Sequence, residues 1–367
     1  MIKKLGIPKE VKQDEGRVAL IPEHITQFTG LADIFVETQA GFGSGFTDKD
    51  YEDAGAKIVH SAEELYEISE IICKVKEPQP RELELLNSSH VLFAYLHLSS
   101  NISLTKALLD KKLTGIATEM IMDGNEYPLL IPMSRIAGNL AIQKGMQFLE
   151  YSSQGKGVLL SAISGEKNSK VTIIGCGEVG RASIHKSIQI GASVTAIDVN
   201  ENTLEDLKNK YGENISTIIS GTDEAVNAIR SADLVIGAVL LPGRKPPVVV
   251  TKEDISAMEQ GTVIVDVAID QGGCVEGVKP NTHSDPFEIR NGVIVSAIAN
   301  LPGAVPRTSS IELSTNLQKY VDNLLIENWF DKYKNNESLR PSLQIHNGLL
   351  LSEEVADSLS LTLSKLV

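Results

Sequence analysis

The segment Val171-Thr172-Ile173-Ile174-Gly175-Cys176-Gly177-Glu178-Val179-Gly180 constrains this chain most, because an apolar strand running straight into a Gly-x-Gly-x-x-Gly turn is compatible with few folds. The glycine pattern alone is weak; its context strengthens it. Helical spacing is predicted over Arg181 to Ile190, and the next apolar run, Val194 to Ile197, leads into Asp198, 18 residues beyond Gly180. In such a βαβ unit Gly175 permits the tight turn, Gly177 removes a Cβ from the path of a pyrophosphate, and Gly180 lets helix and strand approach closely. N–H groups at the helix start then receive the phosphates. Asp198 is placed to accept from both ribose hydroxyls of an adenosine and to repel a 2′-phosphate, so NAD is expected rather than NADP. A purely structural turn is the alternative.

Branched-apolar runs alternate with amphipathic ones along the whole chain, as in parallel sheets flanked by helices. One series of predicted strands covers Ile34 to Glu37, Ile71 to Val75, Val91 to Tyr95 and Gly115 to Ala117. A second covers Val171 to Ile174, Val194 to Ile197, Leu234 to Ala238, Val263 to Val267 and Val293 to Ala297. Between them a long helix is expected after Pro132-Met133, with Ser134 as its cap. After Pro302 and Pro306, helical periodicity returns from Leu313 to Trp329. Folding that helix back on the first series makes the first domain discontinuous. The expected fold is therefore α/β, with two Rossmann-like doubly wound domains and a cleft between them. Residues 1–130 with 307–367 form a substrate domain, and 131–306 form the NAD-binding domain. Gly41-Phe42-Gly43-Ser44-Gly45 has no following helix signal and reads as a flexible loop.

The formal charge of −14 and the lack of a polybasic cluster argue against a nucleic-acid surface. No run of about 18 apolar residues is present, and Gly6 and Pro8 interrupt the N-terminal segment, so neither a membrane span nor a cleaved signal is expected. Cys73, Cys176 and Cys274 are widely spaced and read as reduced, buried thiols of a cytoplasmic protein, with no metal site. Small molecules are the expected partners.

In open α/β sheets ligands lie beyond the carboxyl ends of the strands. Asp270, just past Val263-Ile264-Val265-Asp266-Val267-Ala268-Ile269, stands where hydride-transfer chemistry needs an acid or base, although a turn aspartate before Gly272-Gly273 also fits. Lys76 and His97 follow predicted strands of the first series, and Arg17 precedes the apolar Val18-Ala19-Leu20. A guanidinium grips a carboxylate through two parallel bonds, Lys76 adds a point charge, and His97 exchanges protons near neutral pH. Taken singly, each also fits a plain role: an ion pair, a solvated strand-end charge, a core histidine.

These residues lie within segments that resemble the alanine dehydrogenase and transhydrogenase family over essentially the entire chain. The matching segments are Gly6-Ile7-Pro8-Lys9-Glu10 with Arg17-Val18-Ala19, Lys74-Val75-Lys76-Glu77-Pro78, Tyr95-Leu96-His97-Leu98, Ala268-Ile269-Asp270-Gln271-Gly272-Gly273, and Asn300 to Ser309. The resemblance implies that Arg17 and Lys76 hold a substrate carboxylate and that His97 and Asp270 are catalytic. It implies nucleotide contacts at Ser134, Glu178, Val179, Asp198, Ser220, Val239, Leu240, Val267, Ala268, Ile269, Asp270, Ile298, Ala299, Asn300 and Leu301. The transhydrogenase subunits of this family lack the histidine and carry glutamine for the aspartate, whereas this chain keeps both. The implied reaction is reversible oxidative deamination of L-alanine to pyruvate and ammonium with NAD, in a homohexamer. The alternatives are another small amino or keto acid, or an NAD(H)-binding subunit without turnover. Asn139 stands where arginine is usual, and Ser99-Ser100 replaces a more alanine-rich pair. Thr203 and Asn323 stand where some members carry a cation and a carboxylate, so no metal site and no adenosine contact is transferred to them.

Overall fold

The computed structural model describes residues 3–161, 163, 169–241 and 246–365. Its strands are β1 (Lys3–Ile7), β2 (Ala32–Glu37), β3 (Lys57–Val59), β4 (Ile71–Cys73), β5 (Val91–Ala94), β6 (Thr114–Ala117), β7 (Lys170–Ile174) and β8 (Ser193–Asp198). They continue as β9 (Ile215–Ile219), β10 (Leu234–Gly237), β11 (Val263–Asp266), β12 (Glu288–Arg290), β13 (Val293–Ser296), β14 (Leu343–His346) and β15 (Leu349–Leu350). Two compact units divide them, one formed by residues 1–133 with 305–367 and the other by 134–304. The sequence places these boundaries a few residues away, at 130/131 and 306/307.

The first unit orders its sheet β3-β2-β1-β4-β5-β6-β14-β15. The pairs from β3 to β6 are parallel, and β14 and β15 add an antiparallel edge. The second unit is ordered β9-β8-β7-β10-β11-β13-β12, parallel except for β12 on β13. In each, the chain runs outward from a first strand, returns, and continues on its other side. This doubly wound order opens a crevice beyond the carboxyl ends of the two strands where the direction reverses, here β1/β4 and β7/β10. Val91 to Ala94, Leu234 to Gly237 and Val263 to Asp266 are buried throughout, as strands covered on both faces must be.

The chain after Pro306 returns to the first unit as the helix Pro306–Leu325, longer at its start than the predicted Leu313 to Trp329, with Trp329 opening a separate helix to Asn335. Its buried face fixes the segment after β1: Ser310 Oγ accepts from the Val18 amide at 2.9 Å and Ser314 Oγ from that of Ile21 at 3.0 Å. The Gly41–Gly45 segment is not a loose loop. It contains a short 3-10 turn, Phe42–Ser44, in which buried Ser44 donates to the Gly16 carbonyl at 2.9 Å. Gly43 is required there, since a Cβ would lie 2.6 Å from Gly16 O. The long helix spans Leu130–Phe148, so Ser134 lies inside it and does not cap it. Pro132 sits in the first turn, where a missing N–H costs no helical bond. All three cysteines are free and buried.

His90, buried at the entry to β5, accepts from the Asn87 amide at Nδ1 (3.0 Å) and meets the Tyr66 carbonyl at Nε2 (2.8 Å). Because a carbonyl only accepts, Nε2 carries the proton and Nδ1 has none to spare. Burial lowers its pKa from the ordinary histidine value of 6.5, and His346 is lowered by burial as well. The unfolded chain therefore takes these protons first. Stability is expected to fall as pH drops through the window just below 6.5, with a slope of at most about 1.4 kcal/mol per pH unit for each proton. Thermal melts across that window should steepen for the wild type and flatten in His90→Gln; parallel curves would refute the assignment.

Candidate active site

In the first unit the candidate residues leave neighbouring strands at the same edge. Lys76 follows β4 and His97 follows β5, and the ladder between these strands continues past their ends, Tyr95 donating to the Val75 carbonyl at 3.1 Å. Arg17 lies in the segment after β1. Its guanidinium is buried, 3% exposed, and grips Glu15 with both Nε and Nη2, while Nη1 lies 3.3 Å from Met133 Sδ. Burial alone would lower the pKa of Arg17, but the Glu15 carboxylate outweighs it and holds the charge firmly.

Lys76 is also buried, and the turn bearing it hangs on a side chain that sequence reasoning passed over. Glu10 accepts from the amides of Val75 at 2.5 Å and Lys76 at 3.3 Å. Beneath it Lys74 bridges Glu10 and Glu82 at 3.0 Å each, and Tyr66 donates to Glu82 at 3.0 Å. One buried ammonium thus faces two buried carboxylates. Burial raises the Glu10 pKa in spite of Lys74; burial would lower Lys74, but Glu10 and Glu82 together lift it above the lysine range.

His97 occupies a left-handed backbone conformation with φ of 46°, uncommon for a residue with a Cβ. Glu119 holds it there, accepting from the His97 amide at 2.7 Å and from the Leu96 amide at 3.2 Å. The ring lies parallel to that of Tyr95, 6.1 Å away, and Tyr95 is tethered by its hydroxyl to the Leu129 carbonyl at 2.6 Å.

In the second unit the expected nucleotide residues, Ser134 apart, end or follow strands of the sheet at their carboxyl ends. The helix after β7 is Glu178–Gln189, beginning three residues before the predicted start, with Gly177 as its N-cap and no side chain capping it. Its first N–H groups remain for a bound anion or solvent. Glu178 pairs with Arg135 at 2.8 Å and Val179 follows it in the first turn. Asp198, ending β8, accepts from the Cys176 amide at 2.6 Å and the Asn200 amide at 2.9 Å, and its carbonyl accepts from Ser220 at 2.9 Å. Val239 and Leu240 follow β10, and a Cβ on Gly175 would press on the Ala238 carbonyl at 2.6 Å. Ser134 is half-buried, and Asn139 on the same helix is exposed and bonded to the Arg135 carbonyl at 2.9 Å.

The segment Val267–Gln271 forms a 3-10 turn carrying Val267, Ala268, Ile269 and the exposed Asp270. Asp270 accepts from the Asn300 amide at 3.2 Å, joining this turn to Ile298, Ala299, Asn300 and Leu301 after β13. Asp266 underlies the turn. Fully buried, it accepts from Ala268 (3.0 Å), Cys274 (2.8 Å) and Val275 (3.0 Å), and burial raises its pKa despite those bonds.

Residues 6–137 match the model of the alanine dehydrogenase/PNT N-terminal domain and residues 141–353 that of the alanine dehydrogenase/PNT C-terminal domain. The chain belongs to the alanine dehydrogenase/PNT family. Within it, the chain is 44% identical to the alanine dehydrogenase of Bacillus subtilis over 97% of its own length and 94% of that protein. Identity to the alanine dehydrogenase of Methanococcus maripaludis is 42%, covering 96% of this chain and 95% of that one. A solved L-alanine dehydrogenase superposes with a TM-score of 0.92 at 39% identity, covering 97% of this chain and 99% of the other. The fold of this alanine dehydrogenase/PNT family member is thus that of two Rossmann-like domains, the first discontinuous. Among the described residues no helix is long and apolar enough to cross a membrane.

The glycine turn of this family member makes a testable contrast. A Cβ on Gly180 would lie 1.9 Å from Gly175 O, whereas one on Gly177 meets nothing within 4 Å. Gly180→Ala must push the helix off β7 and is expected to cost about 1–3 kcal/mol or more. Gly177→Ala should stay within about 1 kcal/mol of wild type. Chemical denaturation compares them; equal losses would sink the packing account.

Proposed function

We propose that the protein is an NAD-dependent L-alanine dehydrogenase, interconverting L-alanine and water with pyruvate and ammonium. The observation that carries this reading is the near-full-length similarity to alanine dehydrogenases. Arg17, Lys76 and His97 at one sheet edge, with Asp270 at the edge of the other sheet, supply side chains of the chemistry it needs. The second unit suits NAD on its own terms: the helix after β7 offers uncapped N–H groups, Gly177 leaves open space beside them, and Asp198 is fixed at the end of β8. Gly175, Gly177, Glu178, Val179 and Gly180 would receive the pyrophosphate and Asp198 the adenosine ribose, with Ser134, Ser220, Val239, Leu240, 267–270 and 298–301 completing the contacts. When bound, NAD supplies the acceptor for the hydride leaving the substrate Cα.

Arg17 and Lys76 fix the substrate carboxylate, and orientation of this kind lowers barriers by several kcal/mol. Loss of hydride and an amine proton leaves an imine. Asp270 orients or deprotonates the water that adds to it and assists departure of ammonia. His97 donates to the substrate oxygen and relays the proton. We further assign the enzyme to the cytoplasm and to a homohexamer, on the resemblance alone.

The test is NADH formation by the purified protein with L-alanine against a panel of small amino acids. A clear preference for L-alanine is expected, and Gly177→Ala, stably folded, should bind NADH more weakly. Tight NADH binding with no deamination of any amino acid would overturn the reading in favour of a binding subunit.

A further inference from the structure

We propose that Glu119 is a positioning residue for His97, fixing both its backbone and the ring nitrogen that faces the chemistry; this rests on the role given to His97 above. Glu119 lies in the 3-10 turn Thr118–Met120, directly after β6. Ala94 and Ala117 are register partners of parallel β5 and β6, so the residues leaving the two strands emerge side by side. The carboxylate is 9% exposed, and Oε1 accepts from the His97 amide while lying 3.7 Å from His97 Nδ1. Both oxygens accept from the Leu96 amide at 3.2 Å.

Two effects follow from one side chain. The paired amide bonds hold residue 97 in a left-handed conformation that a side chain ordinarily avoids. The negative charge beside Nδ1 favours the tautomer whose proton sits on that nitrogen. Nε2 is then the atom left to take or give a proton. Tyr95, parallel to the ring and anchored on Leu129, limits its rotation. Glu119 itself touches no substrate in this scheme and acts only through His97.

Glu119→Gln separates charge from shape, because an amide oxygen still accepts from backbone N–H groups. Protein labelled with ¹⁵N-histidine is observed at pH about 9, above the ordinary histidine range, with His97 assigned from the signal lost in His97→Ala. The wild type is expected to show the Nδ1–H form, and Glu119→Gln to lose that preference. In kinetics, kcat for L-alanine should fall about tenfold, as expected when a base loses its orienting partner, with KM and NADH affinity within about twofold. Glu119→Asp, withdrawing the carboxylate by one methylene, should weaken the same preference and serves if the glutamine variant does not fold. An unchanged tautomer with kcat near wild type overturns the proposal. A wild type inert toward L-alanine would instead overturn the functional reading, and the nitrogen spectra would still decide whether Glu119 sets the ring.

Discussion

Asp270→Asn is expected to lower kcat for L-alanine oxidation by about 10²–10⁴, the range typical of a lost general acid or base, while NADH affinity changes only a few-fold. The substitution isolates charge from shape. Asparagine keeps an oxygen for the Asn300 amide, which lies 3.2 Å from Asp270 Oδ1, so the link between the ends of β11 and β13 survives. The turn Val267–Gln271 does not depend on Asp270 for its form, because Asp266 holds it from beneath. Steady-state rates with fluorescence titration of NADH measure the two quantities separately. A kcat within tenfold of wild type would remove Asp270 from the chemistry.

Arg17→Ala is expected to damage stability and substrate recognition together. Its guanidinium is bound to a Glu15 whose side chain is 0% exposed, and removing one partner of a buried pair costs about 3–5 kcal/mol. Each charge-assisted bond lost to the substrate is worth about 1.5–3 kcal/mol, so kcat/KM should fall at least tenfold. The double variant Arg17→Met/Glu15→Leu distinguishes the two effects. Removing both charges should restore most of the stability and none of the affinity for L-alanine. Recovery of substrate affinity in the double variant would show that Arg17 is structural alone.

The strands legible in the sequence were those with dense runs of branched apolar residues. Val171 to Ile174 and Val263 to Val267 stand out as unbroken runs of β-branched residues, the one exception being Asp266 at the end of β11. β1 was hidden by its two lysines and Gly6, β3 by its short, half-exposed edge position, and β14 by pairing with β6, more than two hundred residues away. The start of the helix Leu130–Phe148 was obscured by Pro132, which reads as a break yet fits the first turn. Gly43 looked like a loop residue because nothing local reveals that Gly16 crosses it.

The side chains proposed for the chemistry were more legible than those that hold them. Lys76, His97 and Asp270 follow recognisable strands, and the strand-end rule picks them out. Glu119 obeys the same rule, two residues past β6, and could have been found by it. Glu10 also follows a strand, three residues past β1, but with β1 hidden by its two lysines and Gly6 the rule has no strand end to start from. Only the fold shows that its oxygens meet the amides of residues 75 and 76.

Glu10, Glu119 and Asp266 each support a turn that carries a different candidate residue, Lys76, His97 and Asp270 in that order. The contour of each turn and the group it presents are therefore written at separate positions. If residues 76, 97 and 270 have the roles proposed for them, exchanging these groups while residues 10, 119 and 266 are retained is expected to change reactivity and keep the contour of each turn.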